Sequence, residues 1–329
     1  MCPRRKEQRR GGMTTSNGQT GPARAEAGLL DELYRRPGFL IRRAHQIAVS
    51  IFTQECAAYD ITATQYGVMF ALSRCDGVDQ ITIARLLGLD RSTTGLVVSI
   101  LEQRKLLSRS LHAEDKRKRV LTLTDTGRDL LALLRPCALD AIVRLLAPFP
   151  ALERDMLTAL LERMVNRLGG SAAADELAEL YGRPGYLIRR AHQIAVAVFS
   201  ETCREFDITT TQFGVMFALS RCDGVDQITL ARLLGLDRST TGLVVALLEE
   251  RGLLQRSQHA EDRRRRVLAL TAAGRTHLAA VMPKAVLSVE RLLEPFTAIE
   301  RNIFVELLDR LVNHHNADVR VPLIAESAG

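Results

Sequence analysis

Ile83-Ala-Arg-Leu-Leu-Gly-Leu-Asp-Arg-Ser-Thr-Thr-Gly95 decides the fold, and it returns at 230–242 with Leu230 in place of Ile83. A short apolar helix through Leu86 and Leu87 stops at Gly88, a residue that tolerates the left-handed backbone of a helix end. Asp90 then has the form of an N-cap, opening a second helix from Arg91 to about Lys105. Two helices joined by so tight a turn form a helix-turn-helix. The second helix brings Arg91, Ser92, Thr93 and Thr94, and in the later copy Arg238, Ser239, Thr240 and Thr241, to a positively polarised N-terminus. Such an end suits phosphate oxygens and base edges. The plainer reading is that Ser92 and Thr93 only cap the helix.

The segment beyond this helix favours nucleic acid. Alternating strand-like residues, a charged turn and the strand Val120-Leu-Thr-Leu-Thr124 read as a β-hairpin wing. Its tip is His112-Ala-Glu-Asp-Lys-Arg-Lys-Arg119, matched by His259-Ala-Glu-Asp-Arg-Arg-Arg-Arg266. Each copy thus places four consecutive cations at one hairpin position: Lys116, Arg117, Lys118 and Arg119, then Arg263, Arg264, Arg265 and Arg266. A charge run is often just a solvated face. Directly after a recognition helix, it points to phosphates or the minor groove.

Self-comparison extends the repeat. A shift of 147 residues aligns Arg36-Pro37-Gly38 with Arg183-Pro184-Gly185, Pro136 with Pro283 and Pro148 with Pro295. Between Gly67–Val98 and Gly214–Val245 there is one difference. One domain is therefore present twice, not a solenoid. The expected organisation is a basic disordered arm at 1–28, a domain at 29–168, a linker at 169–175, a second domain at 176–316 and a tail at 317–329. Met13 is an alternative start. Within each copy, Pro37 begins a helix carrying Ile41, His45, Ala48 and Phe52 at helical spacing. Thr62 and Gln65 form a capping box for the next helix, as do Thr209 and Gln212. Beyond Thr124-Asp-Thr-Gly127 the chain reads as helix to the domain's end. Its apolar stripe (Leu130, Leu131, Leu134, then Ile142, Leu145, Leu146 and Leu157, Leu160, Leu161) exceeds what one small core would bury, which implies a partner interface.

Composition bounds the rest. The chain has 329 residues, a formal charge of +7, 5% aromatics and no Trp. This suits mainly aliphatic helical cores with small β-hairpin wings and a polyanionic partner. No apolar run approaches the roughly 18 residues of a membrane span, and no apolar stretch follows the basic start, so a cytoplasmic protein with no membrane role is expected. The six cysteines form no C-x-x-C or zinc spacing. With no phosphate loop, nucleophile elbow or metal cluster in the sequence, neither an enzyme nor a cofactor is expected.

Leu86 to Thr94, Leu101-Glu102, Asp115-Lys-Arg117 and Leu121-Thr-Leu-Thr-Asp-Thr-Gly127, each repeated 147 residues on, resemble the MarR family of winged helix-turn-helix transcription regulators over nearly all of each copy. The resemblance implies a helical dimerisation module made by the terminal helices, a two-fold arrangement on double-stranded DNA, and repression relieved by a small ligand. By the same pattern Asp115 and Asp262 brace the wings while Arg117 and Arg264 enter the minor groove. Gly95-Leu96 and Gly242-Leu243 depart from it, since many members carry larger polar side chains there. Two fused copies imply a pseudo-two-fold dimer within one chain reading a near-palindromic operator. Pairing of two chains into a four-reader assembly is the competing arrangement.

For the ligand, His45 sits among Arg42, Arg43 and Gln46, and His192 among Arg189, Arg190 and Gln193. Guanidinium and imidazole beside apolar walls suit a planar carboxylate, although a lone His on an apolar face is often a core residue. The stretch Leu40-Ile-Arg-Arg-Ala-His-Gln-Ile47 is similar to that of members controlling aromatic or N-heteroaromatic acid catabolism, which implies an aromatic carboxylate effector. The family's pocket position brings Tyr66 and Phe213 into its lining. The alternative is a thiol-based redox sensor using Cys56, Cys75, Cys203 and Cys222.

Overall fold

The computed structural model describes residues 28–75, 77–111, 119–169, 177–222, 224–258 and 266–324. The first copy runs α1 (Asp31–Tyr34), α2 (Pro37–Glu55), α3 (Ala63–Arg74), β1 (Val78–Asp79), α4 (Gln80–Leu87), α5 (Arg91–Gln103), β2 (Leu107–Leu111), β3 (Arg119–Leu123), α6 (Asp125–Leu145) and α7 (Ala151–Leu168). The second runs α8 (Ala178–Tyr181), α9 (Pro184–Thr202), α10 (Thr210–Arg221), α11 (Gln227–Leu234), α12 (Arg238–Glu250), β4 (Leu254–Gln258), β5 (Arg266–Leu270), α13 (Ala272–Leu292) and α14 (Ala298–His314). The fold is mainly helical, with one small antiparallel sheet per copy.

Local chemistry sets the helix starts. Pro37 and Pro184 open α2 and α9, where a missing N–H costs nothing. Thr62 and Thr209 make full capping boxes with Gln65 and Gln212. Asp79, Asp90 and Thr124 each accept a hydrogen bond from the backbone N–H three residues on, as do Asp226, Asp237 and Thr271. The helix-turn-helix turns on Gly88 (φ +59°) and Gly235 (φ +60°). In each wing the strands pair antiparallel, Leu107 opposite Leu123 and Leu254 opposite Leu270. In the first copy β1 adds a third strand, Val78 opposite Leu121. In the second only the bridge Val225–Leu268 remains.

The copies interlock. α2 and α9 pack on each other, α7 packs on α9, and α14 packs on α2, so each terminal helix covers the other copy's first helix. One core cluster joins Leu40, Ile47, Leu157 and Leu161 to Leu187, Ile194, Leu308 and Leu311. Most of the surplus apolar stripe goes into that cluster: Leu131, Leu134, Leu145, Leu146, Leu157, Leu160 and Leu161 are buried, and Leu130 and Ile142 pack half-buried against it. A leucine removed from water contributes roughly 2 kcal/mol, so the inter-copy seam is as firm as a domain core. Leu30 and Leu33 around α1 insert into the second copy's core, while Leu177 and Leu180 around α8 insert into the first. The chain end also crosses back. Asp318 pairs with Arg144, its carbonyl accepts from Ser50 and Gln54, and Asn316 accepts from Arg43. The result is a pseudo-two-fold dimer within one polypeptide.

Candidate DNA interface and effector cavities

At the start of α5, Arg91 and Ser92 are exposed, as are Arg238 and Ser239 on α12. Thr93 and Thr240 are half-buried, with hydroxyls held by their caps: Thr93 Oγ1 donates to Asp90 Oδ2 (2.6 Å) and Thr240 Oγ1 to Asp237 Oδ2 (2.7 Å). These hydrogen bonds hold the Asp90 carboxyl below its ordinary pKa. Thr94 and Thr241 correct the expectation. Both are 0% exposed, and their hydroxyls donate to Asp90 O and Asp237 O. They brace the helix from inside and cannot reach DNA. The helical phase carried that signal, since Thr94 shares a face with the buried Val97, Val98 and Leu101.

The opposite face carries Leu96 and Leu243, whose exposure sequence reasoning missed, and the preceding helices carry Ile81 and Ile228; each of the four is 63% exposed. An apolar side chain presented by a recognition helix suits a thymine methyl group. Arg119 and Arg266 stand exposed at the first residue of β3 and β5, opposite Leu111 and Gln258. Asp115, Lys116, Arg117 and Lys118, with Asp262, Arg263, Arg264 and Arg265, lie outside the described residues.

The first-helix clusters act across the seam. The last carbonyls of α4 are gripped by the second copy: Tyr181 Oη donates to Leu86 O (3.0 Å), Arg189 Nη2 to Leu87 O (2.5 Å) and Gln193 Nε2 to Gly88 O (2.9 Å). The last carbonyls of α11 are gripped by the first: Tyr34 to Leu233 O (3.0 Å), Arg42 Nη2 to Leu234 O (2.6 Å) and Gln46 to Gly235 O (3.2 Å). A helix C-terminus leaves such carbonyls unpaired and favours cations. Both glycine turns are needed for this. A Cβ at Gly235 would lie 2.3 Å from Arg43 Nη1, and one at Gly88 2.0 Å from Arg190 Nη1.

Behind each clamp lies a cavity built from both copies. Cavity A, about 200 Å³, has His45, Phe52, Tyr66 and α6 residues on one wall and Arg183, Tyr186 and Arg189 on the other. Cavity B, about 100 Å³, has His192, Phe199, Phe213 and α13 residues facing Arg36, Phe39 and Arg42. The arginine and imidazole expected together on one helix thus separate: His45 sits with Arg189, and His192 with Arg42. The cause is α2 packing on α9 across the pseudo-two-fold. Arg43, Gln46, Arg190 and Gln193 line neither cavity. Arg43 and Arg190 each hold the glutamine of their own helix, which in turn holds the opposite turn. Arg36, Arg183, Tyr34 and Tyr181 were missed because their roles exist only between copies.

Electrostatically the two arginines are incomplete. Arg42 Nη1 and Arg189 Nη1 are buried with no hydrogen-bond partner among the described residues, as is His45 Nδ1. Burial pushes the guanidiniums down, Arg42 to about 9 and Arg189 to about 10, so both remain charged at neutral pH. The His45 and His192 rings stack 5.1 Å apart, joining the cavities. Burial first, then His192 and Arg189, lowers His45 to about 4; burial and Arg42 lower His192. Each cavity therefore offers a fixed cation, a neutral imidazole and apolar walls.

Two of the four candidate thiols fit redox sensing poorly. Cys56 and Cys203 are buried, and burial is the largest cause raising both, Cys56 to about 12, which suppresses the thiolate. Among the described residues no group of His, Cys, Asp and Glu could hold a metal, and no helix is long and apolar enough to cross a membrane.

The family model described as MarR family matches residues 61–118 and 208–265. The chain is 35% identical over 107 residues to transcriptional regulator HosA of Escherichia coli O157:H7, covering 32% of this chain and 79% of that protein. It is 29% identical over 129 residues to the HTH-type transcriptional repressor NicR of Pseudomonas putida, covering 39% and 82%. Among solved structures it is similar to the PcaV transcriptional regulator from Streptomyces coelicolor in complex with its natural ligand, at 34% identity and TM-score 0.39, covering 44% of this chain and 98% of that one.

Proposed function

This chain belongs to the MarR family of DNA-binding transcription regulators, and from that premise we propose that it is a repressor in which one polypeptide covers one two-fold operator and is released by a small aromatic carboxylate. The observation that carries the effector is the divided use of two arginines. Arg189 Nη2 holds Leu87 O at the turn before the recognition helix, while its Nη1 stands unpartnered in cavity A. Arg42 does the same for Leu234 O and cavity B. A carboxylate prefers both nitrogens of the fork. Its arrival competes with the turn carbonyl, loosens the clamp, and lets α4 and α5 shift against the other copy. A repressor reading two half-sites about one helical turn apart loses its fit when that spacing changes.

The operator arrangement rests on the interlocked copies and the near-identical recognition helices. Phosphate contacts fall to Arg91, Arg238 and the wing cations; Ser92, Ser239, Leu96 and Leu243 are the candidates for base edges. Asp115 and Asp262 are assigned to brace the wings. The test uses a duplex selected from a random-sequence pool, with stoichiometry followed by light scattering. The expected particle is one 36.5 kDa chain per duplex, dissociating when benzoates, hydroxybenzoates or pyridine carboxylates are added. Two chains on four half-sites would contradict the operator reading. A complex indifferent to every acid in the panel would contradict the effector reading.

A further inference from the structure

The two cavities occupy equivalent places, yet their linings have diverged. Tyr66 and Tyr186 in cavity A are replaced by Phe213 and Phe39 in cavity B, whereas Ala63 and Ala141 in A are replaced by Thr210 and Ser288 in B. The hydroxyl groups have thus changed positions, and the cavity with two phenols is also the larger, about 200 against about 100 Å³. The added side-chain atoms of Thr210 and Ser288 occupy space that two alanines leave open.

The phenol of Tyr66 is poised to donate. Arg183 Nη1 donates to Tyr66 Oη at 2.9 Å, so the oxygen's acceptor role is filled and its own proton has no acceptor among the described residues. Arg183 is itself fixed by Glu179, which Arg74 holds from the other copy. In cavity B the equivalent Arg36 is held the same way by Glu32, which Arg221 holds from the other copy, but it lies 5.4 Å from the Phe213 ring centre with no phenol to meet. Ser288 offers no equivalent, because its hydroxyl donates back to Ala285 O at 2.8 Å.

We propose that the two cavities are non-equivalent effector sites: cavity A takes an aromatic carboxylate bearing a ring oxygen that accepts from Tyr66, and cavity B takes a ring without that group. The inference rests on the reading of both cavities as carboxylate sites, with Arg189 and Arg42 as the respective anchors. A ring hydroxyl turned toward the Phe213 ring loses its water partners and meets no phenol there, which disfavours it at that position. One chain then answers to two related acids, each through its own clamp.

Calorimetric titration of the full chain with benzoate and the three hydroxybenzoate isomers tests this. At least one hydroxybenzoate should bind in two steps, the tighter about tenfold or more stronger than the weaker, the scale of a buried hydrogen bond made or missed. Arg189→Ala should remove the tight step and Arg42→Ala the weak one. Tyr66→Phe should weaken the tight step about tenfold while leaving benzoate binding unchanged, and Phe213→Tyr should strengthen the weak step. Melting curves of each variant distinguish a lost hydroxyl from a lost fold. Two equal sites for every ligand, untouched by Tyr66→Phe, would overturn the inference and leave the carboxylate sites standing. Absence of binding by every acid would overturn both.

Discussion

The recognition helices and the cavities behind them are two regions duplicated together, and they differ in how far the copies have drifted. Across Gly67–Val98 and its counterpart one position of the sequence differs, and both helices share caps, buried threonines and an exposed leucine. Around the cavities five facing positions differ: Ala63/Thr210, Tyr66/Phe213, Ala141/Ser288, Ile142/Val289 and Tyr186/Phe39. Two readers on one near-palindrome must present the same surface, since each mismatch costs on the order of 1–3 kcal/mol. A cavity inside the protein meets no such demand. On the proposed near-palindromic operator, symmetry of the partner would keep the outer surface symmetric, while the interior is free to specialise.

Charge removal from the wings should break this symmetry most strongly. Replacing Arg263, Arg264, Arg265 and Arg266 by alanine is expected to lower affinity about a hundredfold or more and to reduce the slope of log affinity against log salt by about 3 to 4. The same change at Lys116, Arg117, Lys118 and Arg119 should cost nearly as much, measured by fluorescence anisotropy across a salt series. A large difference between the two sets would mean that the readers are not equivalent on DNA.

The turns should separate the copies next. Gly235→Ala and Gly88→Ala each impose a left-handed conformation costing roughly 1 kcal/mol and push on an arginine. Arg43 is 1% exposed and tied to Asn316 and Val321 by the chain end. Arg190, half-buried, is held by Gln193 alone among the described residues and yields more easily. Urea unfolding should therefore show Gly235→Ala as the more damaging, by about 1 kcal/mol or more.

Acid should act through the stacked imidazoles. His45 titrates near 4 in the fold and near 6.5 unfolded, so between those values the unfolded chain binds a proton that the fold refuses. Stability is then expected to fall as pH drops from about 6.5 to about 4, by up to roughly 3 kcal/mol from His45. His192 should add to it in the same direction. Melting temperature against pH should flatten in His45→Gln.

Much of the fold was legible in the chain itself. Asp90, Thr62 and Gly88 are local signals whose partners lie within four residues, so caps and turns could be placed from sequence. The strand Val78–Asp79 was not, because two residues have no period and pairing with Leu121 is non-local. The cross-seam grips of Arg42 and Arg189 were invisible for the same reason: helix spacing groups Arg42 with His45, and only packing against the other copy divides them. Burial of Thr94 was readable from its phase. A hydroxyl in the first turn of a recognition helix also suits a DNA contact, and only the packing decides between the two. Ser92→Ala and Thr94→Val should separate the two roles, the first weakening operator binding by about 1 kcal/mol with unchanged melting. The second should lower melting slightly, with operator preference kept.

Arg42→Ala combined with Arg189→Ala addresses the central claim, that the groups holding each recognition turn are the groups the effector captures. Anisotropy of the protein–duplex complex would be followed while the most active carboxylate is added. The wild type should release DNA with rising ligand, whereas the double variant, weaker on DNA from the start, should hold the same fraction bound at every ligand concentration. Release of the variant along the wild-type curve would contradict the account.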